Sequence, residues 1–215
     1  MKFENSAVYN MDNAFRGMRN PLESHSLCDS YDEPEGYILG EKDLTLAVKL
    51  VRAGTEHRKF LRQIFVSVDI TAPLYWWKEF DTYKVGTVAN STSTMHRLTS
   101  APITWSNFEF DDMPNIKKLS EEDPYKLAVL RIWTETIKDL EKLRQLYVQT
   151  GDKFYWKELI RLLPSSWLQT RTVTMNYENL ISMYNQRKNH KLTEWHQYCD
   201  WIETLPYTQT LFGIG

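Results

Sequence analysis

Cysteine is nearly missing from this chain: Cys28 and Cys199 are the only two in 215 residues. No CxxC pair and no Cys/His cluster is present, which argues against a structural zinc site or any other metal centre. So few thiols point to free, buried cysteines in a reducing compartment rather than to a disulfide scaffold. Long apolar runs are missing too. No stretch approaches the roughly 20 residues needed to cross a bilayer, and the opening Met1-Lys2-Phe3-Glu4-Asn5 has no signal-peptide core. Neither sign of charge dominates. The 26 Lys and Arg against 28 Asp and Glu leave a formal charge of -2, so no global basic field points to nucleic acid or a membrane surface. Glycine patterns are absent as well: there is no GxGxxG and no P-loop, which excludes those two nucleotide-binding signatures. Cytoplasm is the expected location.

What the chain has in quantity is aromatics, including 8 Trp and 12 Tyr. These residues join a large apolar body to a polar handle and suit ligand pockets and subunit interfaces. For any single Trp, core packing is the stronger reading. With 42% hydrophobic and 25% charged residues, the composition is globular and supports one substantial core. A single domain over residues 1-215 is the expectation.

Up to about Gly40 the sequence is polar and turn-rich, and it reads as an extended arm or long loop. Leu44, Leu46, Ala47, Val48, Leu50 and Val51 form a helical apolar cluster that Gly54 ends. A short helix is expected over Thr55 to Gln63. Val66-Ser67-Val68-Asp69-Ile70 alternates as a half-buried strand does. Pro73 fits the first turn of a helix reaching Phe80. The hydroxyl-rich Asn90-Ser91-Thr92-Ser93-Thr94 reads as a loop, and Asp111 to Asn115 as a linker. Ser120-Glu121-Glu122-Asp123 resembles a capping box. After it, Leu127, Leu130, Trp133, Ile137, Leu140 and Leu143 recur at three- or four-residue steps, up to Gly151. That helix is a core element or part of an oligomer interface. A shorter helix over 152 to 162, a strand over 167 to 175 and helices over 177 to 187 and 192 to 202 complete the chain. The order is α+β, without alternating βαβ units.

Two separated blocks carry the functional signal. The first runs from His57 through Ala72-Pro73 and Trp76-Trp77-Lys78 to Met95-His96-Arg97-Leu98, where His96 and Arg97 are further cationic candidates. The second runs from Leu163-Pro164 through Thr170 to Asn176 and on to Arg187. Their order resembles the flavin-dependent thymidylate synthases, which methylate dUMP using FAD and a folate. An ungapped register from His57 lays that family's signature, R-H-R-x-x-S-x-N-E-x-S-x-R-Y, over Thr82 to Met95. Lys84 then stands for an Arg, and Thr87 and Thr92 stand for the two Ser. Thr82, Tyr83, Ala89, Asn90, Thr94 and Met95 replace the remaining Arg, His, Asn, Glu, Arg and Tyr. In the second block Asn176 and Arg187 match family positions. Ile160 replaces a nucleotide-binding Arg, with Arg161 one step away, and Glu178 and Ser182 replace polar flavin contacts.

The resemblance implies an α+β fold of that family, a mixed sheet with long helices. It implies a pyrimidine nucleotide held by Glu79, Lys84, Thr87, Asn90, Thr92, Arg161 and Arg187. It implies FAD near His57, Tyr83, Lys84 and Asn176, with NADPH and methylenetetrahydrofolate as co-substrates, and a homotetramer whose sites draw on several subunits. Arg187 is the residue implied to bind and activate the pyrimidine ring, which would be an electrostatic role. Taken singly, the basic residues read equally well as solvated surface charges, and His57 as a surface histidine. Three function classes stay open: an enzyme transferring a one-carbon unit to a pyrimidine nucleotide such as dUMP, a non-catalytic nucleotide-binding protein on the same fold, and a structural or interaction role that would explain the aromatic richness alone.

Overall fold

The computed structural model describes residues 1–34, 36–110 and 124–214. The linker expected over Asp111 to Asn115 and the capping box expected at Ser120 to Asp123 lie outside the described residues. The architecture is α+β, as expected. Contacts group the described chain into two compact units. The first unit holds residues 1–70, 81–90 and 171–215, and the second holds 71–80 and 91–170.

The first forty residues carry more regular structure than a loop. Strand β1 (Lys2–Tyr9) is followed by helix α1 (Met11–Gly17), two short 3-10 turns, and strands β2 (Tyr31–Glu33) and β3 (Gly36–Ile38). The physical reason is tertiary. β1 is an edge strand paired with a central one, so its polar residues keep one side in water. Met11, Ala14 and Phe15 are buried at helical spacing despite the polar residues between them. β2 and β3 pair antiparallel, with Tyr31 opposite Ile38.

Helix α2 (Glu41–Arg52) follows, and the chain leaves it through Gly54 at φ +105°. Only Lys59–Gln63 of the next expected helix forms, as a 3-10 turn. Strand β4 (Phe65–Pro73) alternates as predicted, with Val66, Val68, Ile70 and Ala72 buried. Pro73 ends that strand instead of opening helix α3 (Leu74–Phe80), whose first amides donate to Trp167 O and Ser165 O at 3.0 Å. The hydroxyl-rich loop is strand β5 (Val88–Ser91) running into helix α4 (Thr94–Ser100). Thr92 N–H donates to Thr170 O at 2.9 Å, and that pairing orders a segment which local composition marks as loop.

Helix α5 (Pro124–Thr150) is the long amphipathic one, and Gly151 at φ +68° closes it. Helix α6 (Lys153–Leu162), strand β6 (Leu168–Asn176) and helices α7 (Tyr177–Arg187), α8 (Thr193–Glu203) and α9 (Thr208–Phe212) follow. The larger sheet has the order β1-β4-β6-β5. β4 and β6 run antiparallel: Thr172 bonds Asp69, and Thr71 Oγ1 lies 2.8 Å from Thr170 Oγ1.

The second unit has its own core. Ile137 and Leu140 of α5 are buried with Leu98, Ile103, Phe108, Leu159 and Trp167, and Trp133 and Leu143 pack against that group. The apolar stripe is thus a core face from Trp133 to Leu143. Toward the start of α5, Leu127, Val129 and Ile132 are exposed. Beside the core, Glu141 takes both ends of the Arg144 guanidinium at 2.7 Å and the Ile103 N–H at 2.7 Å.

The Arg144 bond holds the Glu141 carboxyl down to about 2. The Ile103 and Gln145 bonds add to this, while partial burial opposes it. A carboxyl lowered on folding stabilises the fold above its ordinary value of 4.5, and the effect fades as pH falls from there toward 2. Glu141→Gln should therefore cost roughly 1–3 kcal/mol at neutral pH. In urea melts its deficit against the parent should shrink between pH 4.5 and 2. A deficit that stays constant across that range would show that the charge is not what Glu141 contributes.

Candidate active site

The expected site residues divide between the two units. His57, Tyr83, Lys84, Thr87, Asn90, Asn176 and Arg187 belong to the first; Glu79, Thr92 and Arg161 belong to the second. In the first unit, helix α7 organises the polar groups. Asn176 is its N-cap: its side-chain oxygen accepts the Asn179 N–H at 3.0 Å, and Asn179 Oδ1 accepts the Asn176 N–H at 3.1 Å. This reciprocal cap satisfies amides that a helix start otherwise leaves unpaired. Glu178 sits in the same first turn and takes Arg58 as a two-pronged partner, with Nη2 to Oε1 at 2.9 Å and Nε to Oε2 at 3.0 Å. The side chains of both partners are largely covered.

Arg187 lies in the last turn of α7 and is half-buried. Its Nε donates to the Tyr83 hydroxyl at 2.8 Å. Its guanidinium carbon stands 4.5 Å from the ring centre of Trp195 and 5.4 Å from that of Tyr83. Trp195, from α8, is fully buried and meets Tyr198 edge-on at 5.6 Å. The guanidinium therefore rests on an immobile indole, a cation–π contact strengthened by the exclusion of water. The Tyr83 hydroxyl donates in turn to Gln186 Oε1 at 3.1 Å. The structure places the His190 ring 6.2 Å from the Trp195 ring and buries Glu194. Trp195 as the platform and the Tyr83 hydroxyl as the hook were not legible. The only trace was an aromatic eight residues beyond Arg187, a spacing that a helix-loop-helix turn makes uninformative.

The loop bearing Tyr83 is tied to the start of α7. Asn179 Nδ2 donates to Val85 O at 2.7 Å, and the Thr87 hydroxyl donates to Tyr83 O. Lys84 and Asn90 are exposed. His57 is exposed at a mainly apolar cavity of about 760 Å³ whose wall includes Met18, Leu46, Leu50 and Phe60. In the second unit, Arg161 pairs with Glu158 on the surface of α6. Glu79 is half-buried on α3, and the Thr92 carbonyl accepts Gln169 Nε2 at 2.9 Å. Of the expected set, Tyr83 is in direct contact with Arg187 and with Thr87.

Other chemistry is sparse. Among the described residues no three His, Cys, Asp or Glu side chains could hold a metal ion together. No described helix is long and apolar enough to cross a membrane. Burial first, then the nearby Asp200 and Glu203 carboxylates, pushes the Cys199 thiol up to about 11, so it carries no thiolate near neutral pH.

Solved structures share this fold over nearly the whole length of the chain. Thymidylate synthase X (ThyX) from Helicobacter pylori, solved with FAD and dUMP, matches with a TM-score of 0.70 and 18% identity, covering 99% of this chain and 97% of that one. The fold is that of the flavin-dependent thymidylate synthases. A second structure of the Helicobacter pylori ThyX with FAD and dUMP matches at 0.67 and 16% identity over 99% and 97% of the two chains. A UMP/dUMP methylase, PolB from Streptomyces cacaoi bound with 5-Br dUMP, matches at 0.65 and 14% identity over 99% and 95%. No protein-family model and no curated protein matches the sequence. At these identities the likeness to ThyX and PolB establishes the fold.

Gly86 reports on how tightly the loop meets α7. Its φ is +77°, and a Cβ there would lie 3.0 Å from Asn179 Oδ1 and 3.2 Å from Asn176 Nδ2. Gly86→Ala should cost roughly 1–2 kcal/mol, from left-handed backbone strain together with displacement of the cap. Chemical denaturation would measure it. A loss under a few tenths would mean that the loop and the cap are not in contact in solution.

Proposed function

We propose that this chain binds a pyrimidine deoxynucleotide, with dUMP the reference ligand, at a site centred on Arg187. The observation that carries the reading is the Arg187 guanidinium, immobilised over Trp195 by Tyr83. Such a planar fork is suited to bidentate recognition of a carbonyl edge or a phosphate. Its position matches that of the pyrimidine-binding Arg implied by the resemblance, and all three solved relatives carry dUMP or a brominated form of it. In the same unit, Lys84, Thr87 and Asn90 would supply charge and polar groups toward a phosphate. The activity proposed on that nucleotide is transfer of a one-carbon unit, with FAD as cofactor and NADPH and methylenetetrahydrofolate as co-substrates.

The residues assigned to FAD fit less well than those assigned to the nucleotide. Asn176 is committed to the helix cap, the Tyr83 hydroxyl to Arg187 and Gln186, and the position of Glu178 to an ion pair with Arg58. His57 and Lys84 are the remaining candidates for flavin. When bound, FAD would supply the redox chemistry, leaving this chain to bind and polarise the pyrimidine. These committed side chains favour a second reading, a nucleotide-binding protein on the same fold without flavin chemistry. Separate titrations of FAD and dUMP discriminate the two. Absorbance near ~450 nm in the purified protein supports the enzyme. dUMP binding in its absence supports the second reading. Binding of neither removes both.

Arg187→Ala should weaken dUMP binding by roughly 1.5–3 kcal/mol in calorimetry without unfolding the protein. Equal affinity in mutant and parent would remove Arg187 from the site. We also propose a cytoplasmic homotetramer, with the exposed Leu127, Val129 and Ile132 of α5 offering apolar surface for assembly. Light scattering should give a mass near four chains at micromolar concentration, and a monomer would count against sites shared between subunits.

A further inference from the structure

The loop between α3 and β5 meets α7 at both ends of the helix. At the first turn, Val85 O accepts the Asn179 side chain at 2.7 Å, and Gly86 lies against Asn176 and Asn179. At the last turn, the Tyr83 hydroxyl accepts from Arg187 Nε at 2.8 Å and donates to Gln186 at 3.1 Å. Gln186 is steadied in turn by the Ser182 hydroxyl at 3.1 Å. The Tyr83 ring meets Trp195 edge-on, at 6.1 Å and 71°. Tyr83 is thus fixed through its backbone, its ring and its hydroxyl, and the hydroxyl is the part that touches Arg187.

A guanidinium stacked on an indole can still roll about its long axis and turn within its plane. Its donors lie along the edges of that plane, so its orientation decides which of them face a ligand. A bond at Nε removes this freedom. We propose that Tyr83 is a positioning residue for Arg187: its hydroxyl locks the guanidinium in one orientation over Trp195, so the ligand-binding edge is pre-formed. The role in ligand binding rests on the nucleotide site proposed above, while the lock itself is a property of the free protein. Immobilising a flexible arginine in advance removes an entropic cost that binding otherwise carries. The resemblance places a histidine of the family signature at this position, so the lock is a feature of this chain's own substitution.

Two measurements test the proposal. The first needs no ligand. In nitrogen-resolved NMR, the Arg187 Nε–H should exchange slowly with water in the parent and at least tenfold faster in Tyr83→Phe, which keeps the ring and loses the acceptor. Equal exchange in the two proteins overturns the lock whatever dUMP does. Slow exchange that Tyr83→Phe abolishes supports the lock even where dUMP does not bind, in which case the nucleotide reading alone fails. The second is a cycle of dUMP titrations on the parent, Tyr83→Phe, Arg187→Lys and the double variant. Lysine keeps the charge but has no Nε–H. Tyr83→Phe should weaken dUMP about five- to tenfold in the parent and leave it unchanged in the Arg187→Lys background. The same loss in both backgrounds would mean that Tyr83 acts on the ligand directly or through the fold, and would overturn the proposal. Matching melting temperatures for the parent and Tyr83→Phe keep the comparison free of unfolding.

Discussion

The antiparallel pairing of β4 with β6 is the constraint on which the site in the first unit depends. Its register is marked by Thr172 on Asp69. The same alternation that buries Val66, Val68 and Ile70 fixes which β6 residues turn inward, so Val173 and Met175 are buried. A slip of one residue would turn the slipped strand's apolar set to the opposite face. Because β6 runs directly into α7, the register also sets where Asn176 caps the helix and where Arg187 emerges eleven residues later. The hydrogen bonds and ring contacts around Arg187 can form only once this frame exists.

Polar groups in the first unit are paired rather than left to water. Asp43 is fully buried and accepts Arg19, Cys28, Ser30 and the Asp29 N–H. Burial raises its carboxyl, but the Ser30, Cys28, Arg19 and Asp29 bonds together outweigh that and hold it below the ordinary value. Arg58 and Glu178 form a second covered pair. Breaking such a pair costs several kcal/mol because it strands a charge, although the intact pair adds little net stability. Around Arg187, the Tyr83 hydroxyl meets Nε, and the rings of Trp195 and Tyr83 lie against the guanidinium.

Much of the secondary structure was legible because its signals are local. The period-two alternation of β4, the 3.6-residue stripe of α5 and the glycines at 54 and 151 were read from the sequence and recur in the fold. Errors fell where pairing overrides local preference. β1 and β5 look like polar loops because edge and half-exposed strands expose many of their residues. Asn176 and Arg187 are singled out by their order along the chain, whereas the contacts that fix them, through Asn179, Tyr83 and Trp195, are not legible in it.

The sequence by itself determined the α+β class, the helix and strand periods, the scarcity of cysteine, and an order of elements resembling one enzyme family. These depend on composition and on spacing within a few residues. Tertiary structure alone decided which polar groups pair with one another. Tyr83 and Arg187 are separated by 104 positions and Arg58 and Glu178 by 120. Contacts at such distances leave no periodic trace, because they depend on where paired strands and packed helices bring the chain back together.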